Sequence, residues 1–511
     1  MIDDAHVTLP EIWATHARFS PDKTAAICGE KRLSWAEFDA GTARIANLLL
    51  AQGVSRGESV ALVMANSLDM LLVMFGIVRA GACMVPVSAL LTPPQIATMI
   101  ADSGATLVFA SPAYRELIEA AAPPAAIRRV AIGFTGEGWI DGDALRAAAS
   151  PADPGVRPGP GDPFNIIYSS GTTGLPKGIV QSHRARSHFA WAIALELGMT
   201  SDTIALATTA LYSNGTQFMV LPPLLVGGTI VILESFTPAA CLAAIERHRV
   251  THSFLVPTQC IVTLEDPACG HHDLSSLRAL LSAGSPLRAD TRAAVIERLT
   301  PNLYELYGFS EGFATMLKPG DLPSRPGAVG KPVMGFDLRI VGSDDRELPP
   351  GEIGEIAGYG TGMMTGYHNR PDLDEAIVWR APDGRSFLRS GDLGLVDEEG
   401  FLHVVDRKKD MIISGGFNIY PADLEAVVAQ HPAVQDVTVF GIPHPKWGET
   451  PVALVIARGA ADPAEILDFA NARLARNQRL AAVELREAFP RNALGKVLKR
   501  ELREAWAASH A

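Results

Sequence analysis

The sequence predicts an α/β protein: a large N-terminal domain of helix-covered, mostly parallel sheets with a small β-barrel-like subdomain, followed by a small α+β domain. Three observations lead there. From Leu33 onward, buried-strand runs alternate with capped amphipathic helices, the pattern of a parallel sheet covered by helices. Between Lys331 and Asp406 the pattern changes to short strands punctuated by Gly and Pro. Beyond the charged run Asp406-Arg407-Lys408-Lys409-Asp410, helix and strand signals mix over a block of about 100 residues. At 511 residues the chain exceeds one ordinary core. The expected boundaries are 1–406 for the N-terminal domain (1–160 and 161–330 as α/β subdomains, 331–406 as the small β subdomain) and 407–511 for the C-terminal domain.

In chain order, Ser34 and Glu37 form a capping box that opens a helix stopped by Gly53. Ser59 to Ala65 reads as a buried strand, Asp69 to Ala80 as a helix closed by Gly81, and Cys83 to Val87 as a strand. Thr92, Pro93 and Gln95 supply a cap, a first-turn proline and a box partner for the next helix. Thr106 to Ala110 is again strand. Ala121 to Gly161, rich in Ala, Pro and Gly, reads as a surface connection. Phe164 to Tyr168 is a strand, and Ser182 caps a helix through Leu197. In the last block, helices are expected at Ala422 to Gln430 and Pro463 to Arg476, with strands near Val434–Phe440 and Val452–Ile456.

Hydrophobic content of 48% with 20% charged residues describes a globular protein, not a disordered one. The net charge of −12 disfavours a nucleic-acid partner, which selects a basic face. The acidic start Met1-Ile2-Asp3-Asp4 lacks the apolar run of a signal peptide, and no apolar stretch reaches the roughly 20 clean residues of a membrane-spanning helix. Cys28, Cys83, Cys241, Cys260 and Cys269 are odd in number and form no CxxC, which points to reduced cytoplasmic thiols. His248, His252, Cys260, Cys269, His271 and His272 have no zinc-like spacing and read as structural. Gly358, Gly360, Gly362 and Gly366 miss the dinucleotide spacing and are not followed by a βαβ unit.

The chemistry concentrates in Ser169 to Gly178, SSGTTGLPKG. Ser169, Ser170, Thr172 and Thr173 donate hydroxyls, Gly171 and Gly174 let backbone N–H groups approach an anion, and Lys177 supplies charge. Such a loop suits a triphosphate. It is not a Walker A loop, because Pro176 precedes the lysine and Gly178 follows it.

This string resembles the phosphate loop of the adenylate-forming superfamily (acyl-CoA synthetases, luciferases and peptide-synthetase adenylation domains), and the resemblance runs over almost the whole chain. Leu306-Tyr307-Gly308-Phe309-Ser310-Glu311-Gly312 resembles the second signature of that superfamily. The resemblance implies that Tyr307 and Gly308 flank adenine, that the Ser310 hydroxyl meets the α-phosphate, and that Glu311 holds Mg2+. It makes Gly284 and Ser285 of the SAGSP turn further nucleotide contacts. Ser390-Gly391-Asp392 and Arg407 match the ribose pair, and Arg407 to Gly416 resembles the acyl-CoA synthetase junction, with Lys409 at its hinge and a mobile C-terminal domain beyond. Pro490 to Lys496 resembles the loop of the adenylation lysine, so Lys496 is expected to bridge substrate carboxylate and α-phosphate. Lys177, Ser310, Glu311 and Lys496 are thus the expected catalytic set. Ser414, Gly415, Gly416 and Trp447 are expected beside coenzyme A, although Trp447 suits a packing role equally.

The implied reaction is AMP-forming: ATP adenylates a carboxylic acid, and a thiol then displaces AMP. The acceptor is expected to be coenzyme A, the alternative being an acyl carrier protein; a homodimer is compatible with the resemblance. By the same resemblance the acyl pocket is lined by Tyr212, Ser213, Asn214, Gly215 and Gln217, by Ala283 and Gly284, and by Tyr307, Gly308 and Phe309. Many relatives carry an aromatic–His pair where this chain has Tyr212-Ser213. No Arg or Lys stands in the stretch, so dicarboxylates are expected to be poor and an apolar monocarboxylate, aliphatic or aromatic, to be preferred.

Overall fold

The computed structural model describes the chain apart from residues 1–6, 170–176, 323, 326, 415–416, 446, 476–477, 492–496 and 511. The chain divides into two compact units. One comprises residues 1–326, 332–337 and 359–376; the other comprises 327–331, 338–358 and 377–511.

The first unit is built on two helix-covered sheets. One sheet runs Gly366–Tyr367, Lys177–Ser182, Pro163–Ser169, Cys83–Pro86, Ser59–Val63, Leu107–Ala110, Arg128–Ala131, Ile140–Asp141, and is parallel from Pro163–Ser169 outward. In the other, Leu303–Gly308, Ala279–Ala283, His252–Phe254, Ile204–Ala207, Thr229–Ile232 and Thr24–Cys28 lie parallel in that order, with antiparallel strands at Ala314–Leu317 and Lys31–Ser34. The sheets do not take the chain in blocks. Ala26 pairs with Ile230, so an early strand completes a sheet made mostly of residues after 200.

The expected caps are present. Ser34 Oγ accepts from the Glu37 N–H at 3.2 Å and Glu37 Oε2 accepts from the Ser34 N–H at 2.8 Å, closing the box that opens the helix Trp35–Ala51. At Pro93–Asp102, Gln95 Oε1 accepts from both the Thr92 N–H at 2.9 Å and the Thr92 hydroxyl at 3.0 Å. The helix Leu68–Arg79 is almost wholly buried, and a Cβ on its Gly76 would lie 2.4 Å from Ile45 of the helix Trp35–Ala51. Glycine at 76 is therefore what lets these two helices touch. The stretch from Ala121 to Gly161 is more than a surface connection. It supplies the strands Arg128–Ala131 and Ile140–Asp141 and the helix Gly142–Ala148, with Val130 and Ala131 fully buried.

In the second unit the long strand Ser386–Val396 pairs with Gly354–Gly360, Val378–Arg380 and Leu402–Arg407. A further sheet orders Phe417–Ile419, Ile412–Ser414, Gly448–Ala457 and Val434–His444, with Ala482–Leu485 parallel to Gly448–Ala457. The two strands expected near Val434 and Val452 are longer than their apolar runs. They form one hairpin closed by the His444–Gly448 pair, because main-chain pairing continues past the last buried side chain. The helices Pro421–Val428, Pro463–Asn471 and Lys499–Ser509 accompany this sheet, the first two packing through Leu424, Val428, Ile466 and Ala470 and the third through Leu502 and Trp506. Among the described residues no helix is long and apolar enough to cross a membrane.

Candidate functional site

In open α/β sheets, ligands gather beyond the carboxyl ends of parallel strands. Three expected pocket segments lie there. Tyr212, Ser213, Asn214 and Gly215 follow Ile204–Ala207; Ala283 and Gly284 end Ala279–Ala283; Tyr307, Gly308 and Phe309 end Leu303–Gly308, where Leu306 pairs with Ala283. The first segment is pinned on both sides. Asn66 Oδ1 accepts from the Leu211 N–H at 2.9 Å while its Nδ2 donates to Thr209 O at 3.0 Å, and Thr216 Oγ1 donates to Ala210 O at 2.6 Å. Ser213 and Gln217 are buried; Tyr212 and Asn214 are half-buried. Burial pushes the Tyr212 phenol above its ordinary value.

The expected phosphate loop falls between the antiparallel strands Pro163–Ser169 and Lys177–Ser182, where Ser169 pairs with Lys177. Ser170, Gly171, Thr172, Thr173 and Gly174 lie outside the described residues, as does the side chain of Ser169. The short strand Gly366–Tyr367 pairs with Ile179 and Val180, beside this hairpin. That pairing has a chemical result. Tyr367 Oη donates to Glu311 Oε1 at 2.6 Å, and Lys177 Nζ stands over the same tyrosine ring, 4.9 Å from its centre. Burial and the Glu311 carboxylate hold the Tyr367 phenol above its ordinary value, so it remains the donor. Glu311 Oε2 has no partner among the described residues, leaving an anionic oxygen of the kind a hard cation prefers. Next to it, Gln181 Nε2 donates to Ser310 O at 3.3 Å and the Met364 N–H donates to Glu311 O at 2.7 Å, fixing the backbone that carries both residues. Gly312 completes the turn at φ +120°, and a Cβ there would lie 2.2 Å from Gly362 O. Only glycine fits. The structure thus gathers Lys177, Ser310 and Glu311. Gly284 takes φ +98°, with half-buried Ser285 following it.

In the second unit, Asp392 pairs in register with Arg407, whose Nε lies 3.3 Å from Asp392 Oδ1. Asp392 is buried and Arg407 partly exposed. The Lys408 N–H donates to Gly391 O at 2.9 Å, and exposed Lys409 occupies the turn between Leu402–Arg407 and Ile412–Ser414. Ser414 pairs with Gly448, which brings it beside the segment of Trp447. Trp447 is 46% exposed and stacks on His444 at 6.3 Å, so it is no core residue. Gly415, Gly416 and Lys496 lie outside the described residues; the bridge between Arg491 and Val497 closes the loop that carries Lys496. His252 is structural, its ring bonded to Leu197 O at 3.0 Å and Thr251 Oγ1 at 2.8 Å.

Motif reading missed Tyr367, Gln181, Asn165 and Arg186. Asn165 and Gln181 carried a signal, since each is a polar residue directly after strand-like apolar ones, Phe164 in one strand and Ile179-Val180 in the other. Arg186 is 1% exposed and donates from Nη2 to Asn214 Oδ1 at 2.8 Å, so a cation stands directly behind a pocket segment that is neutral in sequence.

Comparison with known proteins finds relatives along almost the whole chain. The feruloyl-CoA synthase of an Amycolatopsis species is 36% identical over 492 residues, covering 95% of this chain and 96% of that protein. The indoleacetate–CoA ligase of Aromatoleum aromaticum is 34% identical over 501 residues, 96% of each chain. The ATP-bound crystal structure of MatB from Rhodopseudomonas palustris superposes with a TM-score of 0.89 at 28% identity, covering 99% of this chain and all of that one. Residues 13–368 match the AMP-binding enzyme model and residues 423–496 the model of its C-terminal domain. The chain belongs to the family of AMP-binding enzymes.

Proposed function

We propose that the protein is an AMP-forming carboxylate–CoA ligase acting on an apolar, preferentially aromatic, monocarboxylic acid. The gathering of Lys177, Ser310 and Glu311 around Tyr367, at the mouth of the phosphate loop, carries this reading. Two of the relatives above are ligases for aromatic acids, which favours that class here.

In the first step a carboxylate oxygen attacks the α-phosphorus of ATP and pyrophosphate leaves with the electron pair of the broken P–O bond. Lys177 and the loop amides hold the outer phosphates, Ser310 donates to the α-phosphate, and Tyr307 and Gly308 flank adenine. Asp392 accepts the ribose hydroxyls with Arg407 beside it. Lys496 offsets the repulsion between carboxylate and phosphate as charge builds. Glu311 would hold magnesium, which supplies positive charge at the phosphate oxygens. In the second step the thiol sulfur attacks the acyl carbon, its proton goes to solvent, and AMP leaves carrying one of the two original carboxylate oxygens. Ser414, Gly415, Gly416 and exposed Trp447 are assigned to the pantetheine arm. Cys28, Cys83, Cys241, Cys260 and Cys269 are all free thiols, which supports a reducing cytoplasmic setting.

The test is CoA-dependent AMP release with benzoate, a cinnamate, octanoate, acetate and malonate. Each buried methylene adds about 0.8 kcal/mol, so acetate is expected to trail the aromatic acids by orders of magnitude in kcat/KM, with malonate also poor. Acetate or malonate ranking first contradicts the apolar pocket. AMP release that needs an acyl carrier protein in place of CoA contradicts the acceptor.

A further inference from the structure

Arg186 lies in the helix His183–Glu196 and is 1% exposed. Its Nε donates to Asn165 Oδ1 at 2.6 Å, its Nη2 donates to Asn214 Oδ1 at 2.8 Å, and its guanidinium lies 5.5 Å from the centre of the Phe189 ring. No carboxylate lies within ion-pair distance of it among the described residues. Burial pulls the guanidinium down to about 9, which still leaves it a cation at neutral pH. A buried cation held only by neutral acceptors is costly unless its field is used.

A guanidinium can only donate, so the amide atom of Asn214 that faces it must be the oxygen. The Asn214 carboxamide is therefore held in one orientation, with Nδ2 turned away from Arg186. Asn214 is half-buried, and Nδ2 has no acceptor among the described residues. On the other side, Arg186 orients a second chain in the same sense. Asn165 Nδ2 donates to Gln181 Oε1 at 3.4 Å, and Gln181 Nε2 donates to Ser310 O at 3.3 Å. Asn165 and Gln181 are 1% and 3% exposed, so this chain is sealed from water. One buried cation thus sets amide orientations from the acyl segment to the backbone of the adenylation signature.

We propose that Arg186 is a specificity-positioning residue. It locks the Asn214 amide with its N–H groups presented to the acyl group, so that the protein prefers acids whose ring bears an oxygen acceptor, hydroxyl or methoxy, over the unsubstituted acid of the same skeleton. This rests on residues 212–217 lining the acyl site, as in the function proposed above. A hydrogen bond polarised by a neighbouring charge is stronger than a neutral one, so the preference is expected to be roughly tenfold or greater.

The experiment measures kcat/KM for cinnamate, 4-hydroxycinnamate and 4-methoxycinnamate in the parent protein and in Arg186→Met, Asn214→Leu and Asn214→Asp. The parent is expected to favour the two oxygenated acids at least tenfold. In Arg186→Met and in Asn214→Leu the ratio is expected to fall to within about twofold of unity, whereas a purely structural role would slow all three acids in proportion and leave the ratio intact. Asn214→Asp retains the bond to Arg186 but presents an acceptor, so 4-methoxycinnamate, which has no proton to give, should become the poorest of the three. Asn214 is half-exposed, which keeps the test decisive if Arg186→Met does not fold. A parent ratio near unity, or a full preference surviving in Asn214→Leu, overturns this inference and leaves the ligase reading standing. CoA-dependent turnover of none of the acids takes down both.

Discussion

At the scale of single residues, the adenylation centre proposed here depends on a phenol. Tyr367 Oη donates a hydrogen bond to Glu311 Oε1 and its ring lies under Lys177 Nζ, so one side chain meets both a carboxylate and a cation. Hydrogen bonds to charged groups contribute about 1.5–3 kcal/mol. Tyr367→Phe keeps the ring and the strand but deletes that bond. We expect pyrophosphate release to slow about tenfold or more and the magnesium concentration for half-maximal rate to rise, with Tm falling by no more than a few degrees. A magnesium titration that overlays the parent would remove Tyr367 from the positioning of Glu311. Lys177, Ser310 and Glu311 stood out as candidates in the sequence because each sits in a short motif string. Tyr367 and Arg186 did not. Their partners lie 56 and 28 positions away along the chain, and neither the short Gly366–Tyr367 strand nor one arginine in a helix marks such a pairing locally.

Among the elements, local rules worked where a residue type does a local job. Ser34 and Ser182 each cap a helix with their side chains, Thr92 stands at the N-cap position of its helix, and Gly81 follows its helix at φ +73°. They failed at Arg128–Ala131, whose two arginines and Pro-rich approach hide a strand that is anchored by register with Leu107–Ala110. The turn between Leu402–Arg407 and Ile412–Ser414 tests the second half-reaction. Lys409 is exposed there, while the neighbouring Lys408 and Asp410 N–H groups are bonded to Gly391 O and Arg407 O. Lys409→Pro fixes φ at the position proposed as the hinge. Acyl-adenylate is expected to form and accumulate while thioester formation stalls. Lys496→Ala should do the reverse, losing adenylation by at least ~10²-fold while preformed acyl-adenylate still yields thioester. Equal loss of both steps in both variants would assign these residues to structure.

For the molecule as a whole, alternating strand and helix signals reveal helix-covered sheets, but not that Thr24–Cys28 reaches across about 200 positions to pair with Thr229–Ile232. Such pairing depends on the topology of the complete sheet and leaves no mark in any local window. What the whole chain does is stated most sharply by the fate of an oxygen atom. If the carboxylate attacks the α-phosphorus and AMP later leaves with that oxygen, substrate labelled with 18O in its carboxylate must transfer label to AMP. The measurement is mass spectrometry of the nucleotide after CoA-dependent turnover of a doubly 18O-labelled aromatic acid. One 18O per AMP, with unlabelled pyrophosphate, is the predicted result; ADP and phosphate as products, or AMP free of label, would contradict it.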